Sequence, residues 1–242
     1  MINVLIPAAG KGTRSNLKYP KTLYKIKGIP IIISLIKTII SCKIKLNKII
    51  IISNPKGKMQ IDYQLKKYGL RKYCDIVIQD RPNGMGDAIL NFEKSKFFFD
   101  TNKILLIWGD IPYPSVTTLE NLIKYNKTQK DVLSFPTRYV SNPYTYVNIK
   151  NFTPTSIIET KNKKYKRKKG FRDVGIFVFD RSIIFKFLKK NYKAKIDNFS
   201  NEHGFLYIVN ILYKNNFKIG AYNIATKKDL ISFNQFEDLK EL

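Results

Sequence analysis

A short apolar strand that runs directly into a loop of small residues is the feature that most limits what this chain can fold into. Residues 3–6 are apolar after Asn3, and residues 8–12 carry small side chains except at Lys11. Small side chains let successive backbone N–H groups turn toward an anion. Two further cations, Arg14 and Lys21, follow the loop. The sequence therefore predicts an α/β fold with a phosphate-binding loop after its first strand.

Two common glycine loops are excluded at this position. A Walker A loop needs four residues between its glycines and then Lys before Ser or Thr, whereas Lys11 separates Gly10 from Gly12. A dinucleotide-binding loop needs a third glycine where Ser15 stands. It also needs an acidic residue after the second strand, where this chain has Ser53. Neither a Walker-type ATPase nor a dehydrogenase is indicated.

Length and composition predict one domain. The chain has 242 residues, of which 44% are hydrophobic, enough for one α/β domain with a substantial core. No apolar run approaches the roughly 20 residues that span a bilayer, and the N-terminus lacks the basic start of a signal peptide. Cys42 and Cys74 are too few for a disulfide framework or a zinc cluster. We expect a cytoplasmic protein without a membrane partner.

The formal net charge of +26 would suit a nucleic-acid-binding protein, because basic proteins gain affinity for polyphosphates by counterion release. The basic residues are spread along the whole chain, however, together with many Ile and Asn residues. This distribution indicates a compositional bias more than a binding patch. Nucleic acid is therefore not an expected partner.

Hydrophobic periodicity predicts alternating strands and helices. The predicted strands are 3–6, 48–52, 75–79, 103–107, 132–135 and 217–221. The predicted helices are 28–41, 58–68, 87–96, 116–126, 181–190 and 206–213. Between residues 136 and 172 the pattern loosens, with β-like runs only at 146–149 and 156–159.

A second glycine loop, residues 79–88, begins with Gln79 and contains Gly84 and Gly86. It leads into a predicted helix, which makes it a second candidate for close approach of the backbone to a ligand. A surface turn is the alternative interpretation.

Asp110 follows the strand 103–107 through Trp108 and Gly109. Ligands of open α/β sheets bind at the carboxyl ends of the strands, and a carboxylate there can hold Mg²⁺. Strand-end aspartates can instead cap the next helix, but Ser115 is better placed for that role. The sequence predicts that Asp110 binds a metal ion.

Residues 7–14 and the pair Pro20-Lys21, at this spacing, resemble the signature of nucleotidyltransferases of the pyrophosphorylase type. The similarity is greatest to the N-acetylglucosamine-1-phosphate uridylyltransferase domain and runs in order from Val4 to Asn234. It implies a Rossmann-like three-layer α/β sandwich with a mixed, mostly parallel central sheet. It also implies a small β-rich lobe, roughly residues 136–175, that covers the acceptor within a single domain, 1–242.

The resemblance also implies the roles of individual residues. Lys11 and Arg14 would neutralise the leaving phosphates, Lys21 would bridge the α-phosphate and the acceptor, and Asp110 and Asn234 would hold Mg²⁺. Glu159 and Asp173 would contact the acceptor. The expected nucleotide contacts are Ala8, Ala9, Gly10, Gly12, Thr13, Gln79, Gly84, Met85 and Gly86.

Three residues depart from the family pattern at the positions that select substrates. Met85 and Asp87 replace a threonine and a histidine in the base-reading loop, and Asp173 replaces an asparagine that contacts the sugar. An ionised aspartate only accepts hydrogen bonds, whereas asparagine also donates. The base and the acceptor are therefore left open by the sequence. His203, the only histidine, is predicted to be structural, and residues 161–169 a solvated basic loop.

The sequence thus predicts a Mg²⁺-dependent nucleotidyltransferase that couples UTP or CTP to a sugar 1-phosphate. The alternative is a CTP-dependent cytidylyltransferase acting on a non-sugar phosphate monoester, followed by a basic nucleic-acid-binding protein. A glycosyltransferase would show Asp-x-Asp where this chain has a single carboxylate, Asp110. Assembly into a homo-oligomer is left open.

Overall fold

The computed structural model describes residues 1–10, 17, 19–81, 83–159, 168–192 and 202–233. The strands are β1 (Ile2–Pro7), β2 (Lys25–Ile26), β3 (Ile29–Pro30), β4 (Leu46–Ser53), β5 (Cys74–Ile78), β6 (Lys103–Ile107), β7 (Leu133–Ser141), β8 (Thr145–Lys150), β9 (Thr153–Glu159), β10 (Lys169–Asp173), β11 (Ile176–Asp180) and β12 (Ile219–Tyr222). The helices are α1 (Ile31–Ser41), α2 (Pro55–Lys67), α3 (Met85–Leu90), α4 (Val116–Gln129), α5 (Arg181–Lys190) and α6 (Ile208–Lys214).

The central sheet is mixed and mostly parallel, as predicted. Its strands follow the order β12-β7-β11-β6-β1-β4-β5, and β10 pairs with the second half of β7. Strand β11 runs antiparallel to both of its neighbours, while β1, β4, β5 and β6 are parallel. The carboxyl ends of these four strands therefore meet along one edge of the sheet.

Helices cover both faces of the sheet, which confirms the three-layer sandwich. Val4 and Ile6 of β1 face a core formed with α1, α2 and α4. Leu5 faces the opposite way, into a second core formed with α3, α5 and α6. The central strands are buried on both sides, as expected for parallel strands, so they read as continuous apolar runs.

The predicted helix at residues 28–41 begins later than expected. Ile29–Pro30 forms β3, which pairs with β2, and α1 starts only at Ile31. The two residues between the strands, Lys27 and Gly28, have φ angles of 50° and 82°. Two positive φ angles in succession form the tight turn that joins antiparallel strands. The prediction was therefore wrong over residues 28–30.

Where the sequence pattern loosens, the described residues form β-strands joined by short turns. Strands β8 and β9 form an antiparallel hairpin, and β10 pairs antiparallel with β7. Small antiparallel sheets are thus present in the part of the chain predicted to be the β-rich lobe. The extent of a single domain over 1–242 stays a prediction.

The ends of two helices differ in their capping. Ser115 stands at the N-cap of α4, but its side chain makes no capping hydrogen bond, so the expectation that it caps the helix was wrong. Its backbone N–H instead donates to Asp229 Oδ1 at 2.6 Å. Asn54 caps α2 by accepting from the Gly57 N–H at 2.7 Å.

Both cysteines are buried and unpaired, Cys42 at the end of α1 and Cys74 at the start of β5. Burial raises the pKa of Cys42 to about 11 and that of Cys74 to about 12. Both side chains are therefore thiols near neutral pH. None of the helices in the described ranges combines the length and apolar character needed to cross a bilayer.

Candidate active site

The loop after β1 begins at the centre of the carboxyl edge of the sheet. The Ala8 N–H donates to Ile52 O at 2.7 Å, and Asn54 Nδ2 donates to Ala9 O at 3.1 Å. Gly10 is exposed, and a Cβ atom added there would meet nothing within 4 Å. The start of the loop is therefore held on its inner side and open on its outer side.

The remaining residues of this loop cannot be placed. Lys11, Gly12, Thr13 and Arg14 lie outside the described residues. Their predicted roles in holding and neutralising the triphosphate stay predictions.

The structure brings Lys21, which precedes β2, into contact with Asp110, which follows β6. The Lys21 ammonium forms a close ion pair with Asp110 Oδ2 and also donates to Phe233 O at 3.1 Å. Pro20, the preceding residue, lies against α2, because a Cβ atom on Gly57 would be 2.8 Å from Pro20 Cγ. Packing of Pro20 on α2 thus sets the position of Lys21 at the edge of the sheet.

The two carboxylate oxygens of Asp110 differ in their hydrogen bonding. Its Oδ2 accepts from Lys21, whereas its buried Oδ1 has no hydrogen-bond partner among the described residues. A buried acceptor without a donor is costly unless a cation or water meets it. The arrangement fits a hard divalent cation that takes one carboxylate from the protein and its other ligands from phosphates and water.

The predicted second metal ligand, Asn234, lies outside the described residues. Its neighbour in sequence, Phe233, bonds to both partners of the ion pair: its N–H donates to Asp110 O at 2.8 Å and its carbonyl accepts from Lys21. No cluster of three or more His, Cys, Asp or Glu side chains that could hold a metal ion occurs within the described ranges. Metal binding by Asp110 and Asn234 stays a prediction.

Gly109 is needed for the approach of β6 to β1. Its N–H donates to Pro7 O at 3.2 Å, and a Cβ atom would stand 2.6 Å from that oxygen. Any larger residue would push Asp110 away from the loop after β1.

The glycines of the second loop pack against the protein itself. Gly84 has a φ of 97°, and Cβ atoms on Gly84 and Gly86 would lie 2.6 Å from His203 O and 2.3 Å from Gly204 O. The Gly86 N–H donates to His203 O at 2.9 Å. The absence of side chains on these glycines lets residues 203–204 pack against the loop, a role that the sequence did not indicate. Met85, which begins α3, packs on the second core. Their predicted contacts with a nucleotide stay predictions.

Asp87 is the centre of a hydrogen-bond network that includes Gln79. Its Oδ2 accepts from Gln79 Nε2 at 2.6 Å and from Asn91 Nδ2 at 3.2 Å, and its Oδ1 accepts from the Tyr192 hydroxyl at 2.9 Å. Burial, together with the hydrogen bond to Asp87, raises the pKa of Tyr192. Tyr192 is therefore a neutral donor at physiological pH.

His203 is structural, in agreement with the role expected from the sequence. Its ring packs at a tilt of 50° against that of Tyr192, with the ring centroids 4.5 Å apart, and its Nε2 lies 2.7 Å from the Tyr207 hydroxyl. Burial lowers the pKa of His203, so the ring is neutral near pH 7. Its backbone carbonyl, which accepts from the Gly86 N–H, supports the second glycine loop.

The two predicted acceptor contacts converge on one threonine. Thr145 pairs with Glu159 across the β8–β9 hairpin, and its hydroxyl donates to Asp173 Oδ1 in a short hydrogen bond. Asp173 Oδ2 accepts from the Gly175 N–H at 3.0 Å. Burial raises the pKa of Asp173. Both of its oxygens are thus engaged within the protein, while Glu159 is exposed at the end of β9.

A small cleft beside Asp173 contains residues that sequence reasoning missed. It is lined by Trp108, Tyr144, Thr145, Arg172 and Gly175, among others. The buried Trp108 Nε1 has no hydrogen-bond partner among the described residues. The position of Trp108 directly before Gly109-Asp110 was the available signal. No local signal marks Tyr144, in the turn before β8, or Arg172, which reaches the cleft through the pairing of β10 with β7.

Comparisons with known proteins agree with this geometry. Residues 4–153 match the model of the MobA-like NTP transferase domain. The bifunctional protein GlmU of Buchnera aphidicola subsp. Schizaphis graminum is 39% identical over 170 residues, which are 69% of this chain and 34% of that protein. GlmU of Streptococcus thermophilus is 26% identical over 236 residues, 95% of this chain and 48% of that protein. The chain thus spans no more than about half the length of these curated relatives.

Among solved structures, UDP-glucose pyrophosphorylase complexed with UDP-glucose superposes with a TM-score of 0.76 and 18% identity. The match covers 98% of this chain and 95% of that one. At this identity the likeness supports the fold alone.

Proposed function

Because the chain belongs to the MobA-like NTP transferase domain family, we propose that it transfers a nucleotidyl group from UTP or CTP to a sugar 1-phosphate and releases pyrophosphate. The observation that carries the proposal is the ion pair of Lys21 with Asp110 beside the open loop at Gly10, with Asp110 Oδ1 left for a cation. The GlmU relatives support a sugar phosphate as acceptor.

The transfer needs little covalent work from the protein. An oxygen of the acceptor phosphate attacks the α-phosphorus, a new P–O bond forms, and the α–β phosphoanhydride bond breaks as pyrophosphate leaves. The attacking oxygen is already anionic, so no general base is required. Alignment and charge stabilisation are the main demands, and both act most strongly on charge that develops in the transition state.

The residues divide these tasks according to their charge. Lys21 stabilises the α-phosphate and the incoming phosphate, the backbone of Ala9 and Gly10 faces the triphosphate, and Lys11 and Arg14 neutralise the leaving phosphates. Asp110, with Asn234, would hold Mg²⁺. When bound, this ion supplies charge neutralisation and a shared anchor for nucleotide and acceptor.

A CTP-dependent cytidylyltransferase acting on a non-sugar phosphate is the second candidate. Asp173 favours it, because both of its oxygens bond to Thr145 and Gly175 and it offers no amide donor to a sugar hydroxyl. Arg172 of the neighbouring cleft would then meet a second anionic group of the acceptor.

One screen tests both candidates. The purified protein is mixed with Mg²⁺, one of the four common triphosphates and one of a panel of sugar 1-phosphates and small phosphate esters, and pyrophosphate release is followed. We expect release that requires both substrates and stops when EDTA removes the metal. If no pair gives pyrophosphate and the protein binds DNA in a salt-sensitive way, the nucleic-acid-binding alternative replaces the enzyme. A cytoplasmic location and assembly into homo-oligomers stay predictions.

A further inference from the structure

The segment after β12 runs along the carboxyl edge of the sheet and ends beside the ion pair of Lys21 with Asp110. We call this segment, residues 223–233, the strap. Near its start it is bonded to β7, because the Ala225 N–H donates to Thr137 O at 3.3 Å and Ala225 O accepts from Arg138 at 2.8 Å. The strap therefore connects β7 with the site that follows β6.

The buried carboxylate of Asp229 fixes the middle of the strap. Its Oδ1 accepts from the Ser115 N–H at 2.6 Å, and its Oδ2 accepts from the Thr118 hydroxyl at 2.8 Å. Oδ2 also accepts from the N–H and the hydroxyl of Thr226, at 2.6 Å and 2.8 Å. Buried carboxylates need such donors, and these four hydrogen bonds attach the strap to the start of α4.

The aromatic ring of Phe233 fixes the end of the strap. Phe233 is fully buried and packs with Ile26 of β2 and Ile31 of α1 in a small third core. Its ring centroid lies 4.7 Å from that of Tyr24, at a tilt of 39°. An aromatic side chain of this size removes about 150–250 Å² of surface from water, so its burial holds the residue in place. The packing of the ring thus sets the position of the Phe233 backbone.

The backbone of Phe233 bonds to both partners of the ion pair. Its N–H donates to Asp110 O at 2.8 Å, and its carbonyl oxygen accepts from the Lys21 ammonium at 3.1 Å. An ammonium group has three N–H donors, and on Lys21 one is directed to Asp110 Oδ2 and one to Phe233 O. Because the group is tetrahedral, two fixed acceptors determine the direction of the third N–H.

We propose that Phe233 is a positioning residue for nucleotidyl transfer, an inference that rests on the proposed function. Its buried ring keeps its carbonyl oxygen on Lys21 and so directs the remaining N–H of Lys21 to the phosphates. The Lys21 side chain is partly exposed, so a phosphate can approach it from solvent. A lysine held by one ion pair alone keeps the freedom of its flexible four-carbon stem. Alignment matters most in the transition state, so its loss lowers kcat more than it raises KM.

The kinetic test compares kcat and KM for pyrophosphate release in the wild type, Phe233→Ala and Phe233→Leu. We expect Phe233→Ala to lower kcat by about 10-fold, as for the loss of one hydrogen bond to a charged group. We expect KM for the triphosphate to change by less than about twofold, since the ground state depends less on alignment. Phe233→Leu keeps an apolar side chain in the third core, so its kcat should stay within about threefold of the wild type.

Phe179→Ala is the matched control. Phe179 is also fully buried, but it pairs with Ile104 at the opposite end of β6 from Asp110. Both alanine variants leave a cavity and should lower the melting temperature. A merely structural role of Phe233 would reduce stability and leave kcat unchanged, as we expect for Phe179→Ala. The assays are run at a temperature at which circular dichroism shows every variant to be folded.

Acetylation of lysines in the protein without substrates tests the position of Lys21 independently of turnover. The protein is treated with a water-soluble N-hydroxysuccinimide ester of acetate, and modified peptides are quantified by mass spectrometry. Relative to the exposed Lys45, we expect Lys21 to react at least about threefold faster in Phe233→Ala than in the wild type, because local opening exposes it. Phe179→Ala should leave that ratio unchanged.

Tyr24→Ala replaces Phe233→Ala if the latter does not fold. It removes the ring that packs on Phe233 from the other side, and the same lower kcat and faster labelling of Lys21 are expected. Unchanged labelling of Lys21, an unchanged kcat in the folded variant, or an equal loss of kcat in Phe179→Ala would overturn the proposal. Absence of pyrophosphate release by the wild type with every triphosphate would instead reject the proposed function, whatever the labelling shows.

Discussion

Lys21 and Asp110 form an ion pair near the carboxyl edge of the sheet, where the loop after β1 begins. Each is partly buried, with side chains 22% and 12% exposed, so their charges are screened less than those of surface lysines and aspartates. Asp110 accepts from Lys21 through one oxygen, and its other oxygen has no hydrogen-bond partner among the described residues. The ion pair therefore places an ammonium group and a carboxylate group next to each other at the edge of the sheet.

Replacing either partner should remove most of the activity. We expect Lys21→Ala and Asp110→Ala each to lower kcat for pyrophosphate release by at least about 100-fold, roughly 3 kcal/mol in the transition state. Lys25→Ala, which removes an exposed lysine of β2, is the control and should leave the rate unchanged. Normal turnover in a folded Lys21→Ala or Asp110→Ala protein would contradict the assignment.

Replacement by alanine should lower stability at Gly109 and weaken substrate binding at Gly10. Gly109→Ala places a Cβ atom 2.6 Å from Pro7 O, so we expect it to lower the free energy of unfolding by about 1–3 kcal/mol. Gly10→Ala meets nothing within 4 Å, so it should leave the melting temperature unchanged while raising KM for the triphosphate. Thermal denaturation and steady-state kinetics on both variants measure the two effects. A Gly10→Ala protein with an unchanged KM would show that the loop does not face the nucleotide.

Asp173 should make stability depend on pH. Burial raises the pKa of Asp173 in the folded protein above its ordinary value, so the folded state holds the proton more tightly than the unfolded state. Stability is therefore highest below the unfolded pKa and falls as pH rises through the folded value. In Asp173→Asn the new amide can donate to the Thr145 hydroxyl and still accept from Gly175.

Urea unfolding of the wild type and of Asp173→Asn between about pH 4 and pH 7 tests this expectation. The variant should gain stability relative to the wild type as pH rises, and the difference should shrink toward pH 4. A wild type that becomes more stable relative to the variant over this range would show the opposite shift.

At the scale of elements, α2 links the nucleotide loop to the central sheet through its first residues. Asn54 caps α2 with its Oδ1 and holds Ala9 O with its Nδ2, and Pro20 lies against Gly57 in the first turn. One helix terminus thus positions both the loop after β1 and the segment that carries Lys21. The β8–β9 hairpin does the same for the two predicted acceptor contacts, because Thr145 pairs with Glu159 and donates to Asp173.

Two substitutions of Asn54 separate the cap from the loop. Asn54→Ala should lower the free energy of unfolding by about 1 kcal/mol, because the Gly57 N–H loses its acceptor. Asn54→Ser keeps a capping oxygen but cannot reach Ala9, so it should retain most of the stability. Both variants should raise KM for the triphosphate, as measured by initial rates of pyrophosphate release. A normal KM in both would show that the contact with Ala9 O does not order the loop.

At the scale of the whole molecule, the net charge of +26 creates a field that attracts any polyphosphate. We expect KM for the triphosphate to rise several-fold as KCl increases from about 0.1 M to 1 M, because the Debye length falls from about 10 Å to 3 Å. The kcat value should change less, since the ion pair at the site is partly buried. A KM that does not change with salt would show that the charge has no part in substrate capture.

Much of the architecture could be predicted from the chain. The apolar runs of β1, β4 and β6 and the helical periodicity of α1 and α5 reflect local patterns of burial, which a sequence displays directly. The later start of α1 could not be predicted, because the turn at Lys27 and Gly28 uses positive φ angles that a lysine gives no sign of adopting. The β-like runs at 146–149 and 156–159 were predicted, but the pairing of β10 with β7 was not, since it joins partners distant in sequence.

The sequence by itself determined the type of reaction site: a strand, a loop of small residues, a lysine after a proline and a strand-end aspartate. These features depend on backbone freedom and side-chain chemistry, which are local properties. Only the tertiary structure decided which groups meet, because strand order and register bring together residues far apart in the chain. Lys21 reaches Asp110 across 89 positions, and Tyr192 reaches Asp87 across 105. Gln79 and Tyr192 both donate to Asp87, and no local pattern could have revealed that network.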